Sequence, residues 1–90
     1  MKLTKTFYSD AGHGWLAVKK AELIKLNIAD KITGYSYERG KTVYLEEDCD
    51  AQIYLQAMDK AGYEISIIHK FTRHDKRSPI RSYDHYKGEI

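Results

Sequence analysis

The segment Ile32–Asp48, "ITGYSYERGKTVYLEED", contains the strongest local structural signal in the chain. Two runs rich in β-favouring residues flank Arg39 and Gly40, and this pattern predicts a β-hairpin. Arg39 and Gly40 are predicted to form the two-residue loop. The cross-strand neighbours that this loop implies are Tyr37 with Thr42 and Tyr35 with Tyr44.

Alternation along the two hairpin strands separates large aromatic side chains from small ones. Tyr35, Tyr37 and Tyr44 are predicted to share one face, where their rings would supply rigid contact area for a partner. The opposite face, which includes Val43 and Leu45, is aliphatic and suits the packing of a helix. The alternative is that the C-terminal tail or the N-terminal strand of the same chain covers the three tyrosines.

The segments on either side of the hairpin extend the pattern to β-β-α-β-β-α-β. Asn27 and Gly62 are predicted to end the two helices in the left-handed conformation, each followed by an apolar contact residue. Asp48 or Asp50 is predicted to cap the second helix. The remaining elements are predicted as strands at 3–10 and 15–18, a helix at 19–26, a helix at 49–61 and a strand at 63–71.

Ninety residues are enough for one hydrophobic core, and the fold class that we expect is α+β. We expect a mostly antiparallel sheet of four or five strands with two helices packed on one face. Residues 1–72 would form this domain, and residues 73–90 an irregular tail packed on it or extending from it. The predicted core consists of Leu16, Val18, Leu23, Ile24, Ile28, Val43, Leu45, Ile53, Ala57, Met58, Ile65 and Ile67.

Composition limits the functional classes. The net charge of +2 is too small to indicate a dedicated nucleic-acid binder. No window is long and apolar enough to span a membrane, and the N-terminus lacks the apolar segment of a secretory signal. A lone cysteine, Cys49, has no partner for an internal disulfide, which favours a reducing cytoplasm. We therefore expect no membrane partner.

No motif identifies a reaction. The "GHGWLA" run at 12–17 has the spacing of a dinucleotide fingerprint, but the residues after it predict a strand where the fingerprint needs a helix. His13 with Asp10 is the best candidate for a general base, although no nucleophile accompanies it. His69, His74 and His85 lack the spacing of a metal motif. We accordingly expect no catalytic residue, no metal site and no cofactor.

The basic and aromatic tail is the second candidate surface. Its arginine forks suit phosphates and its rings suit unpaired bases, so single-stranded RNA or DNA is an alternative ligand. The same residue types anchor protein interfaces, and Asp75, Asp84 and Glu89 interrupt the positive charge. The tail therefore favours protein docking. The remaining alternative is a tail that folds back onto the acidic start of the second helix at Asp48 and Asp50.

The chain resembles a family of small uncharacterised proteins encoded by phages and prophages. The residues that carry the resemblance are "FYSDAGHGWLAVKKAELIKLNI" at 7–28, "GYSYERGKTVYLEEDCDA" at 34–51 and "RSPIRSY" at 77–83. The resemblance contains no catalytic motif, so it transfers no site residue. It implies a context, since short phage proteins often act in the host cytoplasm by stoichiometric binding.

These observations together predict a small non-enzymatic phage accessory protein that binds and modulates a host protein, for example as a counter-defence inhibitor. Nucleic-acid binding through the C-terminal segment is the alternative. A homodimer formed through an exposed strand edge is also left open. The predicted partner-binding residues are Tyr35, Tyr37, Tyr44, Arg73, Arg77, Arg81, Tyr83 and Tyr86.

Overall fold

The computed structural model describes residues 2–72 and 78–88. Within these residues the fold is α+β, with a six-stranded mixed sheet and two α-helices. Two short 3-10 helices, Ala29–Lys31 and Pro79–Ser82, lie in the connections. The strands are β1 (Lys2–Ser9), β2 (Gly14–Lys19), β3 (Tyr37–Arg39), β4 (Thr42–Glu46), β5 (Glu64–Phe71) and β6 (Asp84–His85), and the helices are α1 (Lys20–Lys25) and α2 (Ala51–Lys60).

The strand order across the sheet is β5-β1-β2-β4-β3-β6. β1 pairs with β5 in parallel, and every other neighbouring pair is antiparallel. The expected α+β class, the order of elements and the mostly antiparallel pairing agree with the structure, but the sheet has six strands instead of four or five and one of its pairs is parallel. The parallel pair arises because the chain returns through α2 before it enters β5, and such a crossover, unlike a hairpin, joins parallel strands. The sixth strand comes from the C-terminal segment, where Pro79 had suggested irregular structure.

The two helix ends follow the prediction. Asn27 has a φ of 59°, and the backbone N–H of Ile28 donates to the Leu23 carbonyl at 3.0 Å. Gly62 has a φ of 88°, and the N–H of Tyr63 donates to the Met58 carbonyl, also at 3.0 Å. Both ends therefore satisfy an otherwise free helical carbonyl by the same left-handed turn.

The hydrophobic core lies between the two helices and one face of the sheet. Seven of the predicted core residues are buried, and Ile53, Ala57, Ile65 and Ile67 are partly buried. Ile24 is 49% exposed, so its placement in the core was wrong, because a helix of six residues turns only one narrow stripe inward. The core also contains residues that the sequence did not indicate, namely Ile32, Ala51, Tyr54 and Tyr86.

The hairpin has a different loop from the predicted one. Arg39 pairs with Thr42 and Tyr37 with Tyr44, which leaves Gly40 and Lys41 in the loop. Gly40 has a φ of 60°, and a two-residue loop with glycine first accommodates this conformation without a steric penalty. Relative to the prediction, β4 is shifted by two residues along β3. Because side chains alternate between the two faces, a shift by an even number keeps each side chain on its face, so Tyr37 and Tyr44 still share one face as predicted.

Asp50 occupies the N-cap position of α2 but does not cap the helix with its side chain. Its Oδ2 accepts hydrogen bonds from the Thr33 N–H at 3.0 Å, from Thr33 Oγ1 at 2.9 Å and from Ser36 Oγ. The carboxylate is fully buried. The predicted cap is therefore a tether, which attaches the loop before β3 to the start of α2.

Helices that could cross a lipid bilayer are absent from residues 2–72 and 78–88, since both α-helices are too short.

Candidate functional site

The sheet face opposite the helices carries a cluster of aromatic side chains. Leu16 and Val18 point into the core, so alternation turns Trp15 to the other side of β2. The strand register places residues of β1, β3, β4 and β6 on that same side. We call the cluster the aromatic face, and it consists of Tyr8, Trp15, Tyr37, Tyr44, Tyr83 and His85.

The rings of the aromatic face contact one another in two groups of three, Tyr8–Tyr44–Tyr83 and Trp15–Tyr37–His85. Edge-to-face and offset arrangements at such distances are favourable for aromatic quadrupoles, and they restrict the rotation of each ring. The surface is therefore held in place before any partner arrives. The centroid distances are 6.1 Å for Tyr8–Tyr44, 5.2 Å for Tyr44–Tyr83, 6.1 Å for Trp15–Tyr37 and 4.8 Å for Tyr37–His85.

Three cationic groups lie over rings of the aromatic face. The Arg39 guanidinium is 5.0 Å from the Tyr83 centroid, and its Nη1 donates to Tyr83 Oη at 3.2 Å. Lys70 Nζ is 6.0 Å from the Tyr8 ring, and the Arg81 guanidinium is 5.6 Å from the Trp15 ring. These distances lie within the range of cation–π attraction. The face therefore combines rings and positive charge.

The pKa of Tyr44 follows from this packing. Burial raises it, and the neighbouring hydroxyls of Tyr83 and Tyr8 raise it further. The phenol is consequently neutral at physiological pH and acts as a hydrogen-bond donor or acceptor.

The C-terminal segment is fixed beside the aromatic face by Asp10. Its carboxylate accepts two hydrogen bonds from the Arg81 guanidinium, from Nε at 2.6 Å and from Nη2 at 2.8 Å. The backbone N–H of Ser78 also donates to Asp10, at 3.1 Å. Residues 78–88 thus fold back on the loop before β2, and their anchor is Asp10, not Asp48 and Asp50, which the alternative interpretation of the tail had named.

A cleft of about 310 Å³ opens beside the aromatic face. Trp15, Tyr37 and the 70% exposed Tyr35 supply its rings, and Glu46 and Asp48 supply carboxylates. The indole Nε1 of Trp15 is buried and has no hydrogen-bond partner within residues 2–72 and 78–88. The cleft therefore adds negative charge next to the positively charged part of the surface.

Cys49 also lines the cleft, but its environment does not activate it. A hydrogen bond with Glu46 raises the pKa of the thiol, and the negative charge of that carboxylate acts in the same direction. A raised pKa reduces the thiolate fraction at neutral pH, and the thiolate is the nucleophile. Glu46 itself accepts hydrogen bonds from the N–H groups of Asp48 and Cys49, both at 2.9 Å.

The candidate base His13 does not form the expected pair with Asp10. It is the His13 backbone N–H that donates to Asp10, at 3.0 Å. The hydrogen bonds from Arg81 hold the pKa of Asp10 far below its usual range, so this carboxylate is committed to the ion pair. His69 lies on the helix side of the sheet with its ring 5.6 Å from Phe7, and it does not line the cleft that His13 and His85 line.

Six of the eight predicted partner-binding residues lie in the described part of the chain, and they separate into three groups. Tyr37, Tyr44 and Tyr83 belong to the aromatic face, while Tyr35 and Arg81 line the adjoining cleft. Tyr86 is 6% exposed and packs in the core, with its hydroxyl donating to the Ala29 carbonyl at 2.6 Å. Arg73 and Arg77 lie outside the described residues.

Several residues of this surface were missed from the sequence, although a signal for each exists. Trp15 alternates with the apolar Leu16, which places its ring on the face away from the core. Tyr8 pairs directly with Trp15, and Arg39 lies on the same side of β3 as Tyr37. Bringing these side chains together on one surface needs the strand register, which composition does not provide.

Within residues 2–72 and 78–88, no group of three or more His, Cys, Asp or Glu side chains has the geometry to hold a metal ion. Comparison with known proteins identifies no relative, since no protein-family profile, no curated protein sequence and no solved structure matches this chain.

Proposed function

We propose that this protein is a non-enzymatic binding module that docks a partner protein on its aromatic face and the adjoining cleft. The observation that carries the proposal is the two groups of mutually packed rings on the sheet face that the helices leave uncovered, where every ring except the buried Trp15 is at least partly exposed. Tyrosine and arginine are the residue types most enriched among the anchors of protein interfaces. Rings that are already fixed lose little conformational entropy on binding.

The charge distribution supports a protein partner in preference to a polyanion. Arg39 and Lys70 place positive charge over the rings, whereas Glu46 and Asp48 place negative charge in the cleft. A phosphate backbone that follows this surface would be attracted by the positive side chains and repelled by the carboxylates of the cleft. A protein surface carrying acidic and basic side chains in matching positions would complement both.

The hydrogen bonds of the polar groups support a binding role over a catalytic one. Both oxygens of Asp10 are occupied by Arg81, and the thiol of Cys49 has a raised pKa. The strongly lowered pKa of Asp10 makes its carboxylate too weak a base to accept a proton near neutral pH, and the raised pKa of Cys49 keeps its thiol protonated, whereas the thiolate is the nucleophile.

The resemblance to small phage and prophage proteins supplies the biological setting of the proposal. In that setting the partner is a host protein in the host cytoplasm, and binding modulates it, for example by blocking a defence component. The aromatic face would then act stoichiometrically, with one partner held per surface.

The test is capture from host lysate by immobilised protein, with mass spectrometry of the retained proteins. Arg39→Glu and Tyr35→Ala are the variants, because both side chains are exposed. Lys60→Glu is the matched control, since it makes the same charge change on α2, which packs on the other face. Wild type and Lys60→Glu should retain one defined protein that both surface variants lose. Equal retention by all four proteins would contradict the proposal.

Nucleic-acid binding is the second candidate, and it rests on Arg39 and Lys70 lying over tyrosine rings on an open sheet face. Stacking platforms for single-stranded nucleic acids combine rings and cations in this way. Labelled single-stranded oligonucleotides should then bind with an affinity that falls steeply as salt rises. Flat fluorescence anisotropy at low salt would exclude this candidate, and nuclease treatment of the lysate distinguishes it from direct protein capture.

A further inference from the structure

The outer edge of β5 is the long open edge of the sheet. β5 (Glu64–Phe71) pairs with β1, and on its other side no strand of the described part of the chain lies beside residues 64–70. The opposite edge is β6, which is two residues long. Short edge strands resist pairing with other chains, whereas a long one offers a row of main-chain donors and acceptors.

The sequence of β5 is complementary to itself in one antiparallel register. In a pair of β5 strands centred on Ile67, the residue three positions before the centre lies opposite the residue three positions after it. Glu64 then lies opposite Lys70 of the second copy, and the two-fold symmetry repeats this pair. Both side chains project from the aromatic-face side of the sheet, so each carboxylate meets an ammonium group directly.

Neighbouring registers lose this match. The aromatic faces of both copies lie on one side of the joined sheet only when the two-fold axis passes through a residue of β5. If that residue is Ser66, Glu64 lies opposite Ile68, and if it is Ile68, Glu64 lies opposite Thr72. The charges therefore select the register centred on Ile67. Between Glu64 and Lys70 the strand carries no Asp, Glu, Lys or Arg. This segment contains Ile68, which is 50% exposed.

We propose that β5 pairs antiparallel with β5 of a second copy of this chain, with Ile67 at the two-fold axis and Glu64 opposite Lys70. The two sheets join into one, and the symmetry is that of the commonest closed homodimer. Because the axis is perpendicular to the sheet, both aromatic faces lie on the same side of the dimer. The inference does not depend on the identity of the partner that the aromatic face binds.

The first experiment is sedimentation equilibrium of the purified chain over a wide concentration range, with charge-reversal variants. Glu64→Lys and Lys70→Glu each replace two attractive pairs by two repulsive ones and should raise the dimer dissociation constant roughly tenfold or more. Both side chains are exposed, so the fold should persist, which circular dichroism checks. Glu47→Lys and Lys60→Glu make the same charge changes elsewhere on the surface and should leave the dissociation constant unchanged.

The second experiment uses the two reversed variants together. Glu64→Lys has lysine at both positions and Lys70→Glu has glutamate at both, so a mixture of the two should form a heterodimer. The double variant should dimerise as tightly as wild type within about threefold. A wild-type chain that stays monomeric up to about 1 mM would overturn the proposal, as would a dimer that tolerates either single reversal. An extended peptide of another protein would then be the ligand to seek for this edge.

Discussion

Arg81 and Asp10, which are 71 positions apart in the chain, form a two-pronged ion pair at the edge of the aromatic face. The Asp10 carboxylate is 7% exposed and also accepts hydrogen bonds from the backbone N–H groups of Gly12, His13 and Ser78. One side chain therefore orders the loop before β2 and attaches the C-terminal segment to it. The same guanidinium lies over the Trp15 ring, so the anchor and the aromatic face are one connected structure.

Replacement of Asp10 should release this connection. Asp10→Asn removes the negative charge and replaces one acceptor oxygen by an NH₂ group, which would face the N–H donors of neighbouring residues. We therefore expect the free energy of unfolding to fall by about 2 kcal/mol. Trp15 is the single tryptophan and is 2% exposed, so its emission should move to longer wavelength when Arg81 detaches. Urea unfolding and fluorescence measure the two effects. Asp84→Asn, at an exposed position, is the control and should change neither.

The same ion pair makes stability depend on pH in a defined direction. Arg81 lowers the pKa of Asp10 in the folded state, whereas the unfolded chain has the ordinary value of about 3.9. The contribution is therefore complete above about pH 5 and is lost as the pH falls through 3.9 toward the folded pKa. The difference in unfolding free energy between wild type and Asp10→Asn should be constant from neutral pH to about pH 5 and shrink below it. A difference that stays constant to pH 3 would contradict this assignment.

Local signals in the sequence were sufficient where the structure depends on local geometry. Asn27 and Gly62 end their helices as predicted, because a left-handed residue and its apolar neighbour fall within one turn of chain. The common face of Tyr37 and Tyr44 followed from alternation alone. These features need no information about distant segments.

Contacts between distant segments were not predictable in the same way. Asp10 and Arg81 each looked like an ordinary loop or tail residue, and only the fold brings them together. Tyr86 looked like an exposed ring because polar residues surround it in the sequence, yet it packs in the core. Asp50 looked like a helix cap, but a loop that comes 14 residues earlier in the chain supplies its hydrogen bonds. Tertiary partners determined the role of each of these side chains.

Asp50 should be among the most sensitive positions for stability. Asp50→Ala leaves the Thr33 N–H, the Thr33 hydroxyl and the Ser36 hydroxyl without their acceptor in a buried site. We expect a loss of about 3 kcal/mol in the free energy of unfolding. Asp48→Ala removes an exposed carboxylate two residues away and should change it by less than about 0.5 kcal/mol. Similar midpoints for the two variants in urea would show that Asp50 does not tether the loop.

Gly14 permits a close contact that no other residue would allow. A Cβ at this position would lie less than 3.0 Å from two atoms of the Phe7 ring, so Gly14→Ala must displace that ring from the β1–β2 pair. We expect destabilisation by about 1–3 kcal/mol from overpacking. Gly34→Ala is the matched control, because a Cβ there meets nothing within 4 Å. Thermal unfolding of both variants should separate them, and equal melting temperatures would contradict the close contact.

Tyr86 and Tyr83 lie three residues apart, and removing their hydroxyls should affect different properties: stability for Tyr86 and partner binding for Tyr83. Tyr86→Phe leaves the Ala29 carbonyl without its donor in the core and should cost about 1 kcal/mol in the free energy of unfolding. Tyr83→Phe removes a hydroxyl that bonds Arg39 and Tyr44 at the partly exposed surface and should change stability by less than about 0.5 kcal/mol. For the captured partner the order reverses, since Tyr83 belongs to the aromatic face and Tyr86 to the core. Loss of the partner by a folded Tyr86→Phe, with full retention by Tyr83→Phe, would place the binding surface elsewhere on the molecule.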